Sequence, residues 1–250
     1  MSIRIPYLRY RKPSARQAES QRGRRMALRR RILEWLCSLP DPPTAIGYDV
    51  PVNGTHNRAD IAAFWSRREK NGTLVPVRSI AIVCALDRRE CWAAGVNPDS
   101  LLLELHNLKK QINDLETTIR QQEPSLRDSN VLFDEYAEWD YSRSRNGEYH
   151  QALRHRHALE GRLYHGTRGE RLKESGILDE VYVAIPEGTL LAGEPMGSCG
   201  LLVVPINADE PVRLEVKPKA LETTVPRRMQ LVQWLAASAL PYLRAANGLR

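Results

Sequence analysis

The sequence predicts an α/β fold in which a mixed central sheet is flanked by helices and interrupted by a helical hairpin. Three observations carry this. The apolar runs "AIGYDVPV" (45–52), "RADIAAFW" (58–65) and "VRSIAIVCAL" (77–86) follow one another closely, with turn signals between them. Sheet patterning stops near Gly95 and returns at "LDEVYVAIPEG" (178–188). In between, Leu101, Leu105, Leu108, Ile112, Leu115 and Ile119 recur at steps of 4, 3, 4, 3 and 4, a heptad seam.

The elements follow in chain order. "RRMALRRRILEWLCS" (24–38) has the apolar spacing of a helix, and "LPDPP" ends it because proline cannot continue one. Residues 1–23 read as a basic arm, irregular over 1–20. The second and third strands are joined by a polar loop with Asn71-Gly72, so they are expected to be antiparallel. The third strand is apolar enough to be central. The heptad segment is followed by a second helical stretch at 145–164 with Tyr149, Leu153, Leu159 and Leu163, which folds back on the first. Residues 96–165 are therefore read as an insertion, a coiled-coil-like hairpin, favoured over a long dimerising coiled coil. The core is then 24–95 and 166–250. A short helix carrying Arg168, Arg171 and Lys173 precedes the fourth strand. Strands at "CGLLVVPIN" (199–207) and "VRLEVKPK" (212–219) and a helix at 226–244 complete the chain.

The 250 residues suit one large domain, or one domain with an insertion. No run approaches the roughly 18 apolar residues of a membrane span. The start lacks the apolar core of a secretory signal. Cys37, Cys84, Cys91 and Cys199 form no CxxC pair, which argues against a disulfide framework and a zinc site. A cytoplasmic protein with reduced thiols is expected. Net charge is +7 and uneven: residues 1–31 hold eleven Arg or Lys against Glu19 alone, which leaves −3 for the rest. Such an arm, with Tyr7 and Tyr10 interspersed, suits a phosphate backbone, because each cation that meets a phosphate releases counterions. The phosphate-contact candidates are Arg22, Arg24, Arg25, Arg29, Arg30 and Arg31, with Arg168, Arg171 and Lys173 further on. A solvated tail, or one held by an acidic protein, is the competing reading.

Asp60 stands inside the apolar run "NRADIAAF" (57–64). That segment, "SIAIVCALDRRECWAAG" (79–95), "LDEVYVAIPEGTLL" (178–191) and "GLLVV" (200–204) together resemble the PD-(D/E)XK nuclease superfamily, and within it the MmcB-like DNA-repair proteins. The resemblance covers about 24–95 and 165–245, with the heptad region foreign to it. It implies a restriction-endonuclease-like core. It also implies an aspartate in the second strand and Glu-x-Lys in the third, holding Mg²⁺ or Mn²⁺ for phosphodiester hydrolysis. Asp60 matches that aspartate. Cys84 and Leu86 stand where the glutamate and lysine belong, in "IVCAL". A thiol and an isobutyl group neither hold magnesium nor stabilise an oxyanion.

The expectation is therefore a nucleic-acid-binding protein, DNA ahead of RNA, with a lost or altered metal site and no cofactor. It would be a recognition or structural component of a repair, defence or mobile-element complex, with 96–165 open to a protein partner. The alternative is a Mg²⁺- or Mn²⁺-dependent endonuclease in which Asp60 works with Glu34, Asp87 or Glu90, and Arg88 or Arg89 replaces the lysine. A protein–protein scaffold is the third reading. Asp60 as a purely structural acid, paired with Arg58 or capping a turn, remains open beside these. Glu215-Val216-Lys217 spells a literal Glu-x-Lys, but in a late strand away from Asp60. Histidines 150, 155, 157 and 165 group in sequence, yet His155 and His157 diverge on a helix.

Overall fold

In the computed structural model, residues 15–52, 57–127, 139–190, 194 and 196–246 are described. The tyrosines and cations of positions 1–14, the Asn53-Gly54 turn and most of the polar segment between the inserted helices lie outside them. The elements are α1 (Ala15–Cys37), β1 (Ala45–Pro51), β2 (Arg58–Arg68), β3 (Leu74–Cys84), α2 (Pro98–Gln122), α3 (Gly147–Tyr164), α4 (Arg168–Lys173), β4 (Glu180–Pro186), β5 (Gly200–Val204), β6 (Arg213–Val216) and α5 (Val225–Ala246). The six strands lie side by side in chain order. β1, β2 and β3 form an antiparallel meander. β3, β4 and β5 are parallel, and β6 returns antiparallel on β5. The sheet is thus mixed and flanked by helices, an α/β fold.

The first helix starts at Ala15, not near residue 24. Nothing in "ARQAESQRG" stops a helix, and Gly23 is a weak breaker with open space around it. The latter part of the expected arm is therefore helical. β3 ends at Cys84 because Asp87 caps a 3-10 turn at Arg88–Cys91, accepting from the Arg89 and Glu90 N–H groups.

The continuous apolar runs of β3 and β4 are explained by cover on both faces. On one face, among the described residues, the helical cover is α1, whose Leu28, Ile32 and Leu36 pack on Ile61, Ala63, Ile80, Ile82 and Tyr182. On the other, α4 and α5 pack on the strands, and α2 and α3 join the same apolar cluster as Ala62, Ala81, Val183 and Leu201. The heptad residues Leu105, Ile112 and Ile119 are buried in this second layer. α2 and α3 run antiparallel, since His155 meets Glu104 at 3.1 Å and the Tyr149 hydroxyl donates to Glu116 at 3.3 Å. α2 and α3 form a folded-back hairpin that shares the sheet's own apolar cluster.

Asp179, just ahead of β4, joins three elements. It accepts from the Ser79 N–H at 2.7 Å, the Ser79 hydroxyl at 2.8 Å and the Arg228 guanidinium at 2.6 and 2.8 Å. Burial pushes its pKa up, but Arg228 and Ser79 outweigh this and hold it below the usual carboxylate range.

Because α1 is the only helix on its face among the described residues, Ile32→Ala is expected to cost about 2–5 kcal/mol. The check is urea unfolding: the midpoint falls with little change in m, while Gln21→Ala on the exposed side of α1 leaves the midpoint nearly unchanged.

Candidate functional site

Near the start of β2 the chain places Asp60, whose side chain is only 1% exposed. The β1–β2 register pairs Tyr48 with Ile61 and Val50 with Ala59, so Asp49 falls opposite Asp60. Asp49 has φ 49°, the left-handed conformation that Asp tolerates better than most residues. Two like charges facing each other across strands repel. Arg29 of α1 removes that conflict. Its Nη2 and Nη1 donate to the two carboxylate oxygens of Asp49 at 2.7 and 3.1 Å, and Nη2 also donates to Asp60 Oδ1. From the other layer, Arg168 of α4 reaches Asp60 Oδ2 at 2.8 Å and donates through Nη2 to the Arg58 carbonyl at 3.1 Å. The Cys84 N–H donates to the same Oδ2 at 2.8 Å. One carboxylate therefore ties α1, β2, β3 and α4 together.

Burial alone would raise the Asp60 pKa. The Arg168 charge, the Arg29 hydrogen bond and the Cys84 N–H overcome it, so the group titrates below its ordinary value. Arg29 is shifted the opposite way: burial opposes its charge, but the two aspartates raise its pKa overall. The Cys84 thiol is pushed up to about 12 by burial, with the Asp60 charge adding to it. It is a neutral core thiol and not a thiolate ligand.

The other acids expected around Asp60 divide. Glu90 comes to the same strand end, where it pairs with Arg25 at 2.8 Å and accepts the Leu86 N–H at 3.3 Å. Arg25 in turn donates to the Cys84 carbonyl. Glu34 does not join them: it is half exposed and pairs with Arg30 one turn earlier at 2.9 Å. Asp87 is used as the cap of the 3-10 turn. Arg88 is held by Glu194 and Asp99, and its pKa is raised by those bonds. Arg58, the partner expected for a structural Asp60, instead donates to the Asp49 carbonyl. Glu215 pairs with Arg213 on the exposed edge strand, and Leu86 is core.

The arginines expected to meet phosphate also divide. Arg25, Arg29 and Arg168 are engaged by carboxylates. Arg31 donates to the Asn207 and Glu210 carbonyls, Arg171 to that of Gly166, and Lys173 pairs with Glu170 at 2.5 Å. Arg22 and Arg24 are exposed and meet no acid among the described residues.

Asp49 was not singled out from the sequence, although it shares the signal of Asp60: an acid within an apolar strand needs a cation. The residues around Asp60 do not fit a resident Mg²⁺ or Mn²⁺. Its oxygens face N–H donors, and Cys84 and Leu86 offer no hard oxygen. Among the described residues no group of three or more His, Cys, Asp and Glu is placed to hold a metal. No described helix is long and apolar enough to cross a membrane.

Replacing Asp60 by Asn leaves Arg29 and Arg168 short of a counter-charge and is expected to lower stability by about 3 kcal/mol near neutral pH. The pH dependence has a definite sign. The native pKa lies below the unfolded value of about 3.9, so the contribution is present above that value and is lost as pH falls through the native one. Urea midpoints of wild type and Asp60→Asn should differ at pH 7 and converge below about pH 4. A constant gap across that range would contradict the assignment.

No protein-family model matches the chain, and no curated protein matches it. A solved structure of a protein of unknown function from Silicibacter pomeroyi aligns over 90% of each chain at 12% identity with a TM-score of 0.41, a likeness too low to transfer fold or function.

Proposed function

We propose that the protein is a nucleic-acid-binding member of the nuclease-like folds whose metal site has been replaced by arginine–carboxylate pairing. One observation carries the reading. At Asp60, the position matching the metal-holding aspartate, both carboxylate oxygens accept from Arg29, Arg168 and the Cys84 amide. Guanidinium groups supply the positive charge that a metal ion supplies in the active relatives the sequence resembles. A guanidinium cannot generate hydroxide from bound water at neutral pH as a divalent ion does. Supporting the same reading, the order of α1, the β1–β2–β3 meander and parallel β4 is the order the resemblance implies. The polymer is DNA ahead of RNA, and the setting a repair, defence or mobile-element complex. The α2–α3 hairpin is the surface for a protein partner.

A second reading has its own observation. Asp49 and Asp60 form a pair of carboxylates bridged by one arginine, so an enzyme would require Arg29 to swing out and a divalent ion to enter.

The test uses plasmid and single-stranded DNA with Mg²⁺ or Mn²⁺. Retarded migration without cleavage is expected, with affinity falling steeply as salt rises, at a slope of roughly −0.9 per phosphate neutralised on duplex. Metal-dependent cleavage that vanishes in Asp60→Ala establishes the endonuclease instead. Absence of any retardation at low salt leaves the scaffold reading.

A further inference from the structure

A groove of about 580 Å³ opens between the end of α3, α4, the turn at Gly197–Ser198 and the segment that follows β6. Its size is that of a small-ligand site. Three lysines from two separate parts of the chain, Lys173, Lys217 and Lys219, line it. The walls are held in place by backbone and close packing. The Lys219 N–H donates to the Ser198 carbonyl at 3.0 Å. Pro218 lies against Gly200, where an added Cβ would approach the proline Cδ to 3.0 Å and the Tyr182 ring to 2.5 Å. Gly197 has φ 62°, and a Cβ there would press on Tyr164, a buried ring that also lines the groove.

The charges in this groove do not cancel as they do at Asp60. Glu170 is neutralised by Lys173, which also reaches the Ser198 hydroxyl. Glu160 faces Arg156 at 3.9 Å. That leaves the exposed ammonium groups of Lys217 and Lys219 with no carboxylate in ion-pair reach among the described residues. His157 and His165, also exposed at the groove, add donors and no negative charge. Two lysines two residues apart on one side of a shaped groove match the charge of successive phosphates and carry no base-reading geometry. Lys217 belongs to the Glu215-Val216-Lys217 triplet, which lies far from Asp60 in the sheet.

We infer that this groove, and not the Asp60 network, is where the phosphodiester backbone is held, with Lys217 and Lys219 as its phosphate contacts. This rests on the nucleic-acid reading above and names the surface that performs it. It also gives α4 two jobs on one short helix: Arg168 closes the Asp60 network, and Lys173 faces the groove.

The experiment measures anisotropy of a fluorescein-labelled duplex and a labelled single strand across a salt series. The proteins are wild type, Lys217→Gln/Lys219→Gln and Arg22→Gln/Arg24→Gln, with thermal melts confirming that all three fold alike. The lysine variant is expected to bind roughly tenfold or more weakly, and its log affinity–log salt slope to shrink by about 2, one for each lost phosphate contact. Wild-type binding that persists unchanged in the lysine variant, in affinity and slope, overturns the groove while sparing the nucleic-acid reading. Wild-type failure to bind either probe at low salt removes both.

Discussion

A buried carboxylate needs compensation from wherever the fold can supply it, and at Asp60 it comes from both layers. Arg29 approaches from α1 on one face, and Arg168 from α4 on the other. The Cys84 amide adds a third donor from β3. An isolated charge at that depth would cost several kcal/mol, so the packing of α1 and α4 and the ionisation of Asp60 are not independent. The position of α1 is set by Leu28, Ile32 and Leu36 along the sheet, and by Arg25 and Arg29 at the strand ends. Arg29 also absorbs the repulsion between Asp49 and Asp60, which the strand register places opposite each other.

This arrangement separates two uses of positive charge. Around Asp60, arginines meet acids in forks and shared bonds, where the planar guanidinium outperforms an ammonium. Around the groove beside α3, Lys173 pairs with Glu170, while Lys217 and Lys219 stay exposed with no acidic partner among the described residues. The same net charge of +7 thus conceals cations of opposite consequence. Those in ion pairs hold the fold, and under the proposed function the exposed groove lysines are the ones a polyanion would meet. Counting arginines on α1 overstates what a phosphate could reach, because Arg25, Arg29, Arg30 and Arg31 already have partners within the protein.

The inserted hairpin adds to this core instead of hanging from it. Its heptad residues share one apolar cluster with the sheet and α5, and the Ala93 N–H reaches the Leu163 carbonyl where the hairpin leaves and rejoins the core. A seam of that length buries too little to stand alone, so it leans on the layer below.

Period and punctuation in the sequence determined much of the fold. Alternation, Asn-Gly turns and continuous apolar runs located the strands. The heptad steps located the hairpin, and the lone acid in "RADIAAF" marked Asp60 as a residue in need of partners. The helix start was misplaced because "ARQAESQRG" is polar and has no apolar period, so it reads equally as irregular arm and as solvated helix. Which cations serve Asp60 was also illegible, since Arg29 lies 31 residues upstream in another element, and Arg168 comes from beyond the insertion. Local patterns report how a segment repeats. Charge pairing depends on which segments the sheet brings to one end, and that was decided only when β1, β2 and β3 set their register between the two helical layers.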